Sequence, residues 1–220
     1  MTIFPIFDSV ATFDPVDAKT YNWTYRPLFV RNISKGLGTE SVKDFDLCFI
    51  GTVHSDRHRV IHRIRKQYNS SLKIYIFAYF QSPIVLFARC FFDWTLLSAP
   101  KETLKLTPLS ALEISEIVGC SRAVLDIEHP GQRGLTMRTI ETLLAQKKLV
   151  TTNYHIIDSD LYHPSRVHII NRKNPQIPYV FLERSHIQVP DEVREYYSCN
   201  GWVKELLALQ DGIRKSRRDM

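Results

Sequence analysis

Short apolar runs alternate with amphipathic segments along this chain, and the clearest alternation lies between Ser121 and Asn153. The run Ala123 to Ile127 is typical of a buried strand, and the Pro- and Gly-containing segment 129–134 that follows it favours a turn. From Thr136 the apolar positions have helical spacing, and Leu149 to Thr152 is again strand-like. The pattern predicts a strand, a loop, a helix and a second strand, which together form one βαβ unit.

The same alternation extends to both sides of this unit. Asp46 to Ile50 and Leu72 to Phe80 have the apolar and β-branched composition of buried strands. Further helices are predicted after Asp56, over 109–119 and over 201–210. Gln146, Lys147 and Lys148 are predicted to end the central helix with positive charge. Strands that alternate with helices predict an α/β fold with a parallel sheet flanked by helices.

The segment from Ile84 to Leu97 is apolar almost throughout and is interrupted by Arg89 and Asp93. Two interpretations are open. The favoured one is a helix buried in the core, because large apolar side chains are usually inside a protein. The alternative is a surface that docks on a membrane, since several aromatic side chains lie close to Arg89.

Composition adds a mild basic excess to this picture. The chain has 220 residues, 44% of them hydrophobic, a net charge of +6 and a pI of about 9.1. Such a balance suits an anionic partner, which could be a sugar nucleotide, an anionic membrane face or a nucleic acid. The four cysteines form no CxxC pair, and no secretory signal pattern is visible at the N-terminus. We therefore expect reduced thiols and a cytoplasmic protein that is soluble or peripheral to the inner face of the cell membrane.

Candidate chemistry follows the first strand of the βαβ unit. Ligands of parallel sheets bind beyond the carboxyl ends of the strands, where the next helix offers free N–H groups to an anion. Arg138 and Glu141 are three residues apart and so share one face of the predicted helix. The arginine could neutralise a diphosphate, and the carboxylate could accept hydrogen bonds from two ribose hydroxyls. The plainer interpretation is an ordinary surface ion pair.

These residues resemble the nucleotide-sugar-binding core of GT-B glycosyltransferases, specifically the CgeB-like (spore maturation protein) branch. The motif elements run in the family's order and are Asp126, Pro130, Gln132, Gly134-Leu135-Thr136, Arg138, Glu141, Lys147-Lys148 and Thr151-Thr152-Asn153. The resemblance implies that Glu141 holds the ribose and that Gly134, Thr136 and Arg138 hold the diphosphate. His129, Gln132 and Leu135 of the same loop count as further donor-binding candidates.

Two positions depart from the family pattern. The first glutamate of the common EX7E signature would fall at Arg133. Gln146 stands where a glycine is frequent before the second strand. A tight turn at that position is therefore in question.

The resemblance covers most of the chain and implies a domain organisation. Residues 1–40 correspond to a remnant of the N-terminal acceptor domain and the interdomain linker, 41–200 to the Rossmann-like nucleotide-sugar domain, and 201–220 to a closing helix and basic tail. It also places Gly51, Thr52 and His54 on a loop that faces the cleft, with Arg57 or Arg59 near the diphosphate. Most of the acceptor domain would be missing.

The implied function is transfer of a sugar from a nucleotide-sugar donor to a glycan or lipid-linked saccharide, in cell-surface polysaccharide or lipopolysaccharide biosynthesis. GT-B enzymes need no bound metal or other cofactor, because basic side chains and a helix N-terminus take up the charge of the leaving diphosphate. Arg138 is the candidate for that role, and no catalytic base is identified. The loop cluster His155, Asp158, Asp160 and His163 does not have the spacing of a metal site.

Two alternatives remain. The chain could be a donor-binding module that does not catalyse transfer on its own. It could instead bind nucleic acid through the basic helix Arg57 to Lys66, although no RNP, KH or helix-turn-helix motif is present and we expect no nucleic-acid partner.

Overall fold

The computed structural model describes residue 7 and residues 9–30, 44–68 and 70–218. The predicted linker, Asn32 to Val42, lies outside these residues, so the domain boundary proposed there stays a prediction. The described helices and strands alternate through most of the chain, as the sequence pattern predicts.

Six parallel strands form the central sheet. They are β3 (Phe45–Thr52), β4 (Ile74–Tyr79), β5 (Leu104–Lys105), β6 (Ser121–Asp126), β7 (Lys148–Thr151) and β8 (Val167–Ile169). Their spatial order is β5-β4-β3-β6-β7-β8. Along the chain, β4 and β5 are added on one side of β3, and β6, β7 and β8 are then added on the other side. This is the Rossmann strand order, and it confirms the predicted fold class. The order reverses between β3 and β6.

Helices cover both faces of the sheet. The helices of this part of the chain are α2 (Arg57–Tyr68), α3 (Pro83–Phe92), α4 (Ala111–Gly119), α5 (Met137–Leu144), α6 (Tyr179–Glu183), α7 (Asp191–Tyr196) and α8 (Cys199–Arg218). The predicted apolar face of α2, formed by Val60, Ile61 and Ile64, lies in one core cluster, whereas Ile140 and Leu143 of α5 lie in a second cluster. Burial of these two apolar faces is what fixes the helices to the sheet. The last helix is longer than the predicted 201–210.

A small unit precedes the sheet. It consists of β1 (Ala11–Thr12), α1 (Pro15–Tyr21) and β2 (Thr24–Tyr25), and its two strands pair in parallel. The segment after β2 packs on the C-terminal helices: the Arg26 Nε lies 2.8 Å from the Glu205 carboxylate, and the Trp202 indole donates to the Pro27 carbonyl at 3.1 Å. The two ends of the described chain are thus held together.

Two sequence predictions are wrong. Helix α3 is not buried, since most of its large apolar side chains are exposed and only Leu86 and Cys90 pack against the core. Leu96, from the 3₁₀ turn after α3, fills the core position beside α2 instead. Lys148 does not end a helix. It lies in β7, is 4% exposed, and its Nζ donates to the carbonyls of Phe181 and Leu182 at the end of α6.

The four cysteines, Cys48, Cys90, Cys120 and Cys199, are free thiols. Within the described residues, none of the helices has both the length and the hydropathy needed to cross a bilayer.

Candidate functional site

The strand order brings two loops together at the carboxyl edge of the sheet. One follows β3 and begins at Val53, and the other follows β6 and begins at Ile127. The His54 and His129 rings, one from each loop, lie 5.9 Å apart between centroids. Crevices at such a reversal of strand order are where Rossmann-type sheets bind ligands. The candidate site is therefore defined as the edge between β3 and β6 together with the first turn of α5.

Arg57 ties the two loops to each other. Its Nη1 donates to the Thr52 carbonyl at 2.9 Å and its Nε donates to the Ile127 carbonyl. Burial lowers the pKa of this guanidinium. Of the two arginines predicted near a diphosphate, Arg57 thus lies at the site with part of its hydrogen-bonding capacity already used. Arg59 instead donates to Asp93 at 3.3 Å, at the end of α3.

His54 is half-buried beside this guanidinium. Burial lowers its pKa, and the charges of Arg57, His129 and Arg89 lower it further. The imidazole is therefore neutral at pH 7 and can donate one hydrogen bond and accept another. Gly51 and Thr52 lie just before it at the end of β3, where both are partly exposed.

In the loop after β6, the Gly134 carbonyl accepts hydrogen bonds from two side-chain amides. Gln132 Nε2 donates to the Gly134 carbonyl at 3.1 Å, and Asn153 Nδ2 donates to the same oxygen at 3.3 Å. The Leu135 side chain is 4% exposed and belongs to the core around α5. Leu135 is therefore a core residue, and the donor contact assigned to it stays a prediction.

Gly134 faces the N-terminal unit. A Cβ placed on it would lie 2.5 Å from the Phe13 carbonyl oxygen and 2.6 Å from Phe13 Cδ2. This close approach is a sufficient reason for a glycine at the position, and the diphosphate contact assigned to Gly134 stays a prediction.

Thr136 begins α5 as its N-cap. Its Oγ1 accepts the Thr139 backbone N–H at 3.0 Å and donates to Asp126 Oδ2, which also accepts the Thr139 hydroxyl at 2.6 Å. The carboxylate at the end of β6 thereby fixes the start of the helix. The other N–H groups of the first turn have no acceptor within the helix.

Arg138 and Glu141 form the i,i+3 ion pair that the sequence allowed. Arg138 Nη1 lies 3.1 Å from Glu141 Oε2, and the two side chains are 24% and 41% exposed. Both residues stand on the first turns of α5, the helix whose N-cap Thr136 is bound to Asp126 at the end of β6.

A further arginine of this edge, Arg172, was missed by the sequence interpretation. It follows β8, and its Nη2 lies 2.5 Å from Glu128 Oε1 while its Nη1 lies 2.7 Å from Asp56 Oδ1. Glu128 is 5% exposed and also accepts the Thr152 hydroxyl. The one available signal was Glu128 itself, a carboxylate directly after a buried strand, because a buried carboxylate requires a cationic partner or hydrogen-bond donors.

No group of three His, Cys, Asp or Glu side chains in the described part of the chain is arranged to hold a metal ion. Within the loop cluster that the sequence raised, Asp160 accepts the Tyr197 hydroxyl at 2.7 Å and His163 Nδ1 lies 2.8 Å from the Ser165 hydroxyl.

Comparison with known proteins adds one structural similarity. The fold resembles the crystal structure of AviGT4, a glycosyltransferase involved in avilamycin A biosynthesis, with a TM-score of 0.61 and 12% sequence identity. The superposition covers 93% of this chain and 63% of the AviGT4 chain, so this chain spans less than two thirds of that protein. No family model matches the sequence, and no curated protein matches it. The similarity establishes a glycosyltransferase-like Rossmann fold, and the CgeB-like relationship stays a prediction.

Proposed function

We propose that this chain is the nucleotide-sugar-binding part of a GT-B glycosyltransferase of the CgeB-like kind, which transfers a sugar to a glycan or lipid-linked saccharide. The observation that carries the proposal is the reversal of strand order between β3 and β6, which puts His54, His129 and the first turn of α5 at one edge. That edge offers what a diphosphate-linked sugar needs: free N–H groups of a helix, a guanidinium and a carboxylate.

Arg138 and Glu141 can exchange their mutual contact for contacts to the donor. An exposed i,i+3 pair contributes only about 0.3 to 0.5 kcal/mol, so its loss on binding costs little. Hydrogen bonds from ribose hydroxyls to the Glu141 carboxylate, at about 1.5 to 3 kcal/mol for bonds to a charged group, outweigh that cost. The freed Arg138 guanidinium then faces the diphosphate.

The proposed transfer needs no metal ion. As the bond between the sugar's anomeric carbon and the diphosphate oxygen breaks, negative charge builds up on the departing nucleoside diphosphate, while the acceptor oxygen bonds to that carbon. A guanidinium together with the α5 N-terminus would stabilise this charge. Placement of the reaction in polysaccharide or lipopolysaccharide biosynthesis rests on the CgeB-like resemblance. The base that activates the acceptor is not assigned to a residue.

Isothermal titration with UDP, GDP and several of their sugars tests the donor site. We expect micromolar binding of one nucleotide series by the wild-type chain. Glu141→Gln should weaken that binding about tenfold or more, because one charged acceptor of the ribose hydroxyls is lost. The matched control is Glu116→Gln on α4, an exposed glutamate of another helix, which should leave the affinity unchanged.

Failure of a folded wild-type chain to bind any of these nucleotides would contradict the proposal. If the chain binds donor and releases the nucleotide by turnover, and if this release continues in the presence of EDTA, a metal-independent transferase is supported. Donor binding without transfer to any acceptor would favour the alternative of a binding module that does not catalyse transfer alone.

A further inference from the structure

Helix α3 presents a large apolar surface to solvent. Ile84 is 80% exposed, Phe87 78%, Phe91 84% and Phe92 80%, and none of the helix's residues is buried. Contiguous exposed apolar surface of this kind marks a site of interaction with another surface. Only Leu86 and Cys90 pack against the core, so α3 is attached along one side and free along the other.

The charges around α3 are positive. Arg89 is the one charged residue in the helix sequence, which contains no carboxylate. Asp93, which follows the helix, is 7% exposed and is paired with Arg59 at 3.3 Å. The Arg59 side chain is itself 51% exposed. An apolar helix face that carries an arginine and no carboxylate of its own, with the exposed Arg59 nearby, matches an anionic lipid surface. A second copy of this chain, docked through the same face, would instead place its own arginines against Arg89 and Arg59.

The helix also lies next to the candidate site. It begins four residues after the carboxyl end of β4, the strand that pairs with β3 up to Thr52 and Tyr79. Arg89 is close enough for its charge to act on His54. A surface that covers α3 therefore also comes close to the edge where the donor is proposed to bind.

We propose that α3 is an interfacial helix that docks this chain on an anionic bilayer, with its phenylalanines among the acyl chains and Arg89 at the headgroups. The edge between β3 and β6 then lies near the membrane, so the acceptor is a lipid-linked saccharide. This second part rests on the proposed glycosyltransferase function and narrows its acceptor to the lipid-linked class.

Sedimentation with vesicles tests the docking surface without any donor. Wild-type protein should bind phosphatidylcholine vesicles that contain phosphatidylglycerol more strongly than vesicles of phosphatidylcholine alone. The Phe87→Gln, Phe91→Gln double variant should lower the partition coefficient by roughly tenfold per phenylalanine, because that much apolar area no longer enters the bilayer. Arg89→Gln should lower binding to the anionic vesicles about fivefold.

The matched control is Leu112→Gln, Leu207→Gln, which removes two apolar side chains that are 68% and 56% exposed on α4 and α8. It should bind vesicles like the wild type. Equal vesicle binding by the α3 variant and the wild type would overturn the proposal. So would a dimer in analytical ultracentrifugation that the α3 variant abolishes, because a second copy would then cover the helix.

Nucleotide titration of the same variants separates the two proposals. Loss of vesicle binding with unchanged nucleotide affinity supports the docking surface. If the wild-type chain binds nucleotide but binds neither kind of vesicle, the docking proposal is overturned and the donor-site proposal is not affected. If the wild-type chain binds vesicles but no nucleotide, the docking helix is supported, and the proposal that the acceptor is a lipid-linked saccharide is withdrawn.

Discussion

Two glycines of the loop after β6 serve different purposes, although the sequence presents them alike. Gly131 is exposed, and a Cβ on it would meet only the His129 ring, at 3.6 Å from Nδ1. Gly134 is pressed against the Phe13 backbone, where a Cβ would have no room. The loop is therefore free on one side and fixed to the N-terminal unit on the other.

Gly134→Ala should destabilise the chain by about 1 to 3 kcal/mol, because either the loop or the Phe13 backbone must move to admit the methyl group. Gly131→Ala is the control and should change stability by less than about 0.5 kcal/mol. Urea unfolding followed by circular dichroism measures both. Equal midpoints for the two variants would show that the N-terminal unit is not packed on the loop as described.

At the scale of single residues, the sequence predicted local relationships well. The helical spacing after Thr136 and the Arg138–Glu141 pair depend on neighbours three or four positions away, and the structure contains both. Gln146 was in question as a turn residue, and it does adopt a left-handed φ of 57°. Its side chain accepts from the Val189 N–H at 2.8 Å and donates to the Val189 carbonyl at 3.1 Å, which compensates for the absence of glycine.

Between elements, one arginine connects three loops of the candidate edge. Arg172 follows β8 and contacts Glu128 after β6 and Asp56 before α2. These partners are 44 and 116 positions away in the sequence. A pattern of neighbouring residues contains no sign of such contacts, and this is why the sequence interpretation missed them.

Arg172→Met should destabilise the fold by about 2 to 3 kcal/mol, because the buried Glu128 carboxylate would lose its cationic partner. Adding Glu128→Gln to that variant should recover part of the loss, with a coupling energy of about 1 to 2 kcal/mol. Unfolding midpoints of the single and double variants provide the double-mutant cycle.

The control for this cycle is Lys204→Met, which removes a surface pair with Glu195 whose two side chains are 77% and 57% exposed. It should cost less than about 1 kcal/mol. Additive effects of Arg172→Met and Glu128→Gln would mean that the pair does not hold the loops together.

Helix α3 shows a second limit at the element scale. Its composition predicted a helix correctly, but composition could not distinguish a buried helix from an interfacial one. Burial depends on which neighbour fills the core position beside α2, and Leu96 from the next turn fills it. The membrane-docking alternative, weaker on the sequence alone, agrees better with the exposed side chains.

For the whole molecule, the alternation of strands and helices predicted the parallel sheet, and the resemblance predicted a Rossmann-like domain. The strand order that locates the candidate edge comes from the structure. Long-range packing, such as that of Arg26 and Trp202 between the two ends of the chain, has no counterpart in the sequence pattern. The central claim is that a sugar nucleotide binds at the edge between β3 and β6.

Hydrogen–deuterium exchange with and without the nucleotide sugar identified by titration tests that claim most directly. We predict slower amide exchange in residues 51–57 and 128–139, because these contain the two loops and the α5 N-terminus, and no change in α4 or α7. Glu141→Gln should weaken this protection at the same donor concentration. Protection confined to other parts of the chain, with 51–57 and 128–139 unaffected, would contradict the account.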